Sequence, residues 1–232
     1  LYDQILPYLP EIENFYFAGG EPLLTDKHYD LLEHLIKIDH RSAPLNYNTN
    51  LSNLKYKQKS IIDLWKKFYH VHISPSLDSW GDRAEYIRDG TKWKEIEENI
   101  QTIKEQTPHV QIIVSTVVSI FNVYTLPEFL KHLESIINNN VPNFYIIQEP
   151  EFYSFKILPP KFKDLCIEKL LKIDYIPGIN EIISQLQKSE YDRNLHLKFI
   201  NKTKELDKIR NQSFVKTFPE LSDIFNDVYK VF

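Results

Sequence analysis

Two glycines, a carboxylate and a proline, Gly19-Gly20-Glu21-Pro22, follow the aromatic run Asn14-Phe15-Tyr16-Phe17-Ala18 and precede a helical pattern. Paired glycines at a strand end let the backbone approach a ligand closely, because no Cβ stands in the way. A carboxylate at that point, with a proline fixing the exit of the chain, makes a turn able to hold a small cationic or amine group. Four further stretches place polar residues after apolar or β-branched ones: Asn48-Thr49-Asn50, Ser76-Leu77-Asp78, Thr116 to Asn122, and Gln148-Glu149. In a parallel α/β fold, the ends of strands that feed helices are where ligands bind. Polar residues there also cap the next helix, which is the simpler reading for Thr125 and Asp26. Five such ends in succession favour a site.

Strands and helices must hold those residues in place. Residues 13–18 read as a buried strand, and 25–39 as a helix capped by Thr25 or Asp26 with Tyr29, Leu32, Leu35 and Ile36 as its stripe. Leu45 to Asn50 is the next strand, and 58–68 the next helix, with Ile61, Ile62, Leu64, Trp65 and Phe68 apolar. Tyr69 to Ser74 alternates before Pro75, and Trp93, Ile96, Ile100 and Ile103 recur at helical spacing. The β-branched run Val110 to Val118 predicts one long strand. Thr125 and Glu128 have capping-box spacing and open a helix through about residue 138. After the polar stop Asn138-Asn139-Asn140 comes a strand at Phe144 to Ile147. Beyond Leu158-Pro159-Pro160 the pattern is helical, near 161–173, 179–189, 195–211 and 219–230, punctuated by Pro177-Gly178 and Pro219. Five strands alternating with helices, then helices only, predict a parallel α/β sheet or partial barrel over 1–158 and a helical extension over 159–232.

Composition narrows the function classes. With 232 residues, 42% hydrophobic content and a net charge of −4, the chain can bury one sizeable core and shows no basic footprint for nucleic acid. No apolar run approaches bilayer-spanning length and no signal-peptide pattern opens the chain, so a soluble cytoplasmic protein is expected. Cys166 is the one cysteine, which excludes an internal disulfide framework and a multi-cysteine metal site within this sequence. Methionine is absent and the first residue is Leu1. Both features lead to the expectation that methionines and an N-terminal segment of the full protein are missing here.

Gly19-Gly20-Glu21-Pro22-Leu23 resembles the GGEP signature on the second barrel strand of radical S-adenosylmethionine (SAM) enzymes. The likeness runs on through most of the chain. Asn48-Thr49-Asn50 resembles the TN turn after the third strand. Ser76-Leu77-Asp78-Ser79, then Glu85-Tyr86-Ile87-Arg88-Asp89-Gly90 and Trp93, resembles the SLD and IRxG pattern of the fourth. Thr116-Val117-Val118-Ser119 with Asn122 is similar to the fifth-strand TVS…N segment. Lys204 to Arg210 and Phe218 to Leu221 are similar to the close of twitch-domain radical SAM proteins, where a shortened auxiliary domain follows the core. No single motif is specific; their order and spacing are.

The resemblance implies a partial (β/α)6 TIM-like barrel of parallel strands lacking its first strand, and SAM as cofactor. Gly19, Gly20 and Glu21, with Pro22 closing the turn, would receive the SAM amino group. Ser76 and Arg88 would contact its carboxylate or ribose, since a guanidinium pairs a carboxylate bidentately. Asn48 and Asp78 fall within the same motifs, and Thr116 and Asn122 would lie near ribose or adenine. Without the family, the simplest role for Arg88 is an ion pair with Glu85 or Asp89.

The family also implies a [4Fe-4S] cluster on a CxxxCxxC loop, an electron donor such as flavodoxin or ferredoxin, and reductive cleavage of SAM to a 5′-deoxyadenosyl radical that abstracts hydrogen. A peptide or protein substrate is a family-level expectation. The cysteine loop is expected upstream of Leu1, so this sequence alone would be inactive; Cys166 reads as a buried core thiol. Two other readings compete. One is a clusterless, degenerate barrel that binds a protein or peptide through its aromatic surfaces. The other is a metal-dependent barrel hydrolase using His70 and His72, which share one side of a strand but lack evident partners on later strands.

Overall fold

The computed structural model describes residues 2–138 and 141–226. Asn139, Asn140 and the expected helix beyond residue 226 lie outside them. In chain order the helices are α1 (Tyr2–Ile5), α2 (Asp26–Lys37), α3 (Ile61–Trp65), α4 (Gly81–Ile87), α5 (Trp93–Gln106), α6 (Leu126–Ile136), α7 (Pro160–Leu170), α8 (Ile179–Lys188), α9 (Arg193–Arg210), α10 (Phe214–Thr217) and α11 (Ser222–Asn226). The strands are β1 (Phe15–Phe17), β2 (Leu45–Thr49), β3 (Lys55–Tyr56), β4 (Lys59–Ser60), β5 (Val71–Pro75), β6 (Gln111–Ile112), β7 (Ser115–Val118) and β8 (Asn143–Ile146).

The chain divides into two compact units: Leu1–Leu77 with Lys92–Ser115 and Ile136–Pro142, and Asp78–Thr91 with Thr116–Ser135 and Asn143–Phe232. This division runs differently from the expected break at 158/159, because residues 78–91 and 116–135 group with the C-terminal helices.

The first unit is built on a parallel sheet of order β1-β2-β5-β6. Its register is set by alternation: Phe15, Leu45 and Val71 stand side by side, as do Phe17, Tyr47 and Ile73. Leu45, Tyr47, Thr49, Val71 and Ile73 are buried on one face, while Tyr16 and Asn48 are exposed on the other. Helix α2 buries Tyr29, Leu32 and Leu35, and α5 buries Trp93, Ile96, Ile100 and Ile103, as their spacing predicts. Each such side chain contributes about 1.5–3 kcal/mol on leaving water.

The expected strand over Val110 to Val118 is two strands, β6 and β7. Pro75 is the cause. The offset from His72↔Gln111 is kept through the bridge Ser76↔Ser115, so the register never slips. Ile113 N donates to Ile73 O and Leu77 N to Ser115 O. The intervening donor on that edge would be the N–H of Pro75, which proline lacks.

In the second unit, Tyr86, Phe121, Phe199, Phe214 and Phe218 form one aromatic cluster, with ring centroids 5.1–6.2 Å apart. The capping box expected for α6 does not form. Thr125 Oγ1 is buried without a partner, and Glu128 accepts instead from Lys169 Nζ at 2.7 Å. Helix α9 starts earlier than expected because Asp192 caps it, accepting from Asn194 N and Leu195 N. Gly178 precedes α8 with φ +90°, and an added Cβ there would meet Phe144 at 2.9 Å.

Candidate functional site

In the first unit, β1 ends at Phe17, and Gly19 and Gly20 turn the chain with φ +85° and +56°. A side chain is strained in that left-handed region. A Cβ placed on either glycine would meet nothing within 4 Å, so open space faces the turn. Glu21 follows in an extended conformation and caps the short 3₁₀ turn Pro22–Leu24, accepting from Leu23 N at 3.2 Å. The same oxygen, Oε1, takes the Thr49 hydroxyl at 2.7 Å, and Oε2 takes Asn50 N at 2.7 Å. The carboxylate therefore ties the end of β1 to the end of β2. Behind it, the buried Tyr29 hydroxyl donates to Leu23 O at 3.1 Å. Burial, and then the charge of Glu21, pushes the Tyr29 phenol up to about 12.

Asn48 lies on the opposite face of β2, where its amide donates to the Tyr16 hydroxyl at 2.7 Å. Ser76 follows β5, and its N–H donates to Thr49 O at 2.9 Å. Of the motif residues in this unit, Glu21, Thr49, Asn50 and Ser76 are joined by hydrogen bonds, and Asn48 is not among them. Thr49 stands inside the TN motif, yet the resemblance gave it no contact of its own. The alternation Leu45-Asn46-Tyr47-Asn48-Thr49 could have found it, because it sends Thr49 to the buried face with Tyr47.

In the second unit the organising group is Asp78, 6% exposed. Its Oδ2 accepts from Arg88 Nε at 2.8 Å and its Oδ1 from Val117 N at 2.8 Å. Its main-chain oxygen accepts from Asn122 Nδ2, which also donates to Val117 O, both at 2.8 Å. Asn122 Oδ1 accepts from Ser119 N at 2.8 Å, so both donors of the Asn122 amide and one acceptor position of its oxygen staple the protein to itself. Thr116 is buried beside Val117 in β7. Arg88 thus pairs with Asp78 rather than Glu85 or Asp89; Asp89 lies 3.7 Å from Arg210 Nε. The side chain of Arg88 is about a third exposed. Because Asp78 takes its Nε, the two Nη groups, which bond no described residue, remain for a planar acceptor.

The Radical SAM superfamily model matches residues 3–136, more than half of the chain. The chain belongs to the radical SAM superfamily. No curated protein matches it. Among solved structures it is similar to one described as native anSMEcpe with bound AdoMet and Cp18Cys peptide. That match has 16% identity, covers 78% of this chain and 52% of that one, and has a TM-score of 0.53. A second, a hexahistidine-tagged anSMEcpe with bound AdoMet, matches with 14% identity over 91% of this chain and 56% of that one, again with a TM-score of 0.53. The chain spans about half the length of these structures. The likeness shows the fold, a partial TIM-like barrel of parallel strands with helices.

For a radical SAM protein, two groups must be tested against these residues. The residues are of a kind SAM could use: in the first unit the left-handed glycine turn opens onto free space, and in the second the Arg88 Nη groups bond no described residue. A [4Fe-4S] cluster does not fit this chain. Its one cysteine, Cys166, is fully buried, and burial pushes the thiol up to about 12, away from the thiolate a ligand must be. Among the described residues no group of three or more His, Cys, Asp or Glu could hold a metal ion, so His70 and His72 lack the further ligands a metallohydrolase uses. No helix among the described residues is long and apolar enough to cross a membrane.

Proposed function

We propose that this chain is the SAM-binding part of a radical SAM enzyme that acts on a peptide or protein, with the cluster cysteines supplied by residues outside this sequence. The observation that carries the reading is the Gly19-Gly20 turn, left-handed, open in front and braced by Glu21. The SAM ammonium group needs acceptors, and the backbone oxygens of this turn, with the charge of Glu21 beside them, are of the right kind. Pro22 fixes where the turn ends.

Arg88 is the residue proposed for the SAM carboxylate or ribose, with Asp78 holding its Nε and Ser76 offering a hydroxyl. Thr116 and Asn122 are assigned to the ribose and adenine region. Both Asn122 amide donors are used inside the protein, which makes its part there that of a support for Asp78 and Val117. Asn48, bonded to Tyr16, is assigned to the open face of the sheet.

A cluster held by residues outside this sequence would supply the electron for reductive cleavage of SAM; a flavodoxin or ferredoxin is the donor we assign to it. A peptide substrate is supported by the relative described with a bound peptide. The test is anaerobic reconstitution of the full-length protein with iron and sulfide, followed by SAM and reductant. Cluster absorbance and release of 5′-deoxyadenosine are expected. A full-length protein that takes up no cluster and makes none would favour a clusterless peptide-binding barrel instead.

A further inference from the structure

Thr49 is 3% exposed, and three strand ends converge on it. Its hydroxyl donates to Glu21 Oε1 at 2.7 Å, beyond β1, and accepts from Leu51 N at 3.0 Å, in its own turn after β2. Its carbonyl accepts from Ser76 N at 2.9 Å, just past β5. A hydroxyl has a single proton, so donating to Glu21 while accepting from Leu51 fixes its orientation. Leu51 itself stands at φ +56°, a left-handed conformation that is strained for a non-glycine residue and persists only where its surroundings hold it. The surroundings here are the Thr49 hydroxyl on its N–H and Asn99 Nδ2 on its carbonyl, at 2.9 Å.

Glu21 receives two of its three hydrogen bonds from the end of β2 and one from its own turn. A carboxylate has about four acceptor positions, so most of this one is occupied within the protein. Glu21 is a strut, and the β2 end is its footing.

We infer that Thr49 is the positioning residue of the amino-group turn: through Glu21 it sets the Gly19-Gly20 backbone, and through its carbonyl it sets Ser76. The inference rests on the SAM reading above. Thr49 need not touch SAM. It fixes two strand ends assigned to SAM contacts, and the bond it gives to Glu21 is charge-assisted, among the stronger kinds of hydrogen bond.

The experiment compares Thr49→Val, which keeps the shape and loses the hydroxyl, with Thr49→Ser, which keeps the hydroxyl. Thr107→Val serves as control; Thr107 is also buried in this unit and spends its hydroxyl on Ile103 O. SAM binding to the reconstituted full-length protein is measured by calorimetry, and amide hydrogen exchange at Asn50 and Leu51 is measured without SAM. Thr49→Val is expected to raise the Kd for SAM about tenfold or more, on the scale of one charged hydrogen bond, and to speed exchange at Leu51. Thr49→Ser should restore both to within about twofold, while Thr107→Val changes neither. Should Thr49→Val not fold, Thr49→Ala, which also loses the hydroxyl, Glu21→Gln and their double variant read the same contact. The double variant should then bind no worse than the weaker single one. Unchanged affinity in Thr49→Val, an equal loss in Thr107→Val, or additive losses in the double variant would overturn the inference. A wild-type protein that binds no SAM fails at the earlier step, and that failure removes the SAM reading itself.

Discussion

His28, on the first turn of α2, is 5% exposed. Its Nε2 meets the Tyr47 hydroxyl at 3.0 Å, and its Nδ1 is buried without a partner. The rings of Phe17 and Tyr47 enclose it at 4.8 and 5.4 Å. With no carboxylate to pair it, burial pushes its pKa down from 6.5 to about 4. The folded pKa lies below the unfolded one, so between pH 6.5 and 4 the unfolded chain binds the extra proton. Stability is therefore fully present above about pH 6.5, falls as pH drops toward 4, and levels off below that. The loss attributable to His28 is about 2 kcal/mol at pH 5. Urea unfolding at pH 7.5 and pH 5 should show wild type losing more than His28→Gln by about that amount; equal losses in both proteins would contradict it. At this scale the sequence was only partly legible. The glycines, Glu21, Ser76, Asp78 and Arg88 announce themselves by type and order. Which partner each takes does not: Asp78 reaches Arg88 across ten residues because α4 folds back, and sequence spacing pointed to Glu85 or Asp89.

At the scale of elements, α4 presents Arg88 from its C-terminal end, and the C-terminal helices hold α4. Arg83 pairs with Glu220 through both nitrogens, at 2.5 and 2.8 Å, with its guanidinium 5.1 Å from the centre of the Phe218 ring. One turn on, the Tyr86 hydroxyl donates to Asp207 at 2.8 Å, and Arg210 donates to Tyr86 O at 3.3 Å. The side chains of Arg83 and Glu220 are 18% and 14% exposed, too enclosed to be dismissed as a surface pair. A double-mutant cycle with Arg83→Met and Glu220→Gln, read by chemical denaturation, should give a coupling energy of about 1–3 kcal/mol. A coupling near zero would show that α4 is held without the Arg83–Glu220 pair. Helices α2, α5, α8 and α9 were legible because their apolar residues recur at helical spacing. The split of β6 from β7 was not, because it depends on the missing N–H of Pro75 in a neighbouring strand. The failed capping box of α6 likewise depends on Lys169, forty-one residues beyond Glu128.

At the scale of the whole molecule, the order of the motifs along the chain carried the family, and the family model over residues 3–136 agrees with it. The division into two compact units was not legible, since it interleaves segments that the helical pattern alone assigned to a core and a tail. The first unit holds the glycine turn with Glu21, Thr49 and Ser76, and the second holds Asp78, Arg88 and Asn122. Arg88 is the residue proposed for the SAM carboxylate or ribose. Equilibrium binding of SAM to the reconstituted full-length protein, alongside Arg88→Ala, tests that assignment most directly. Saturable binding of one SAM per chain, weakened at least about tenfold in Arg88→Ala by loss of a charged pair, is the predicted result. No binding by wild type, or equal binding by Arg88→Ala, would contradict it.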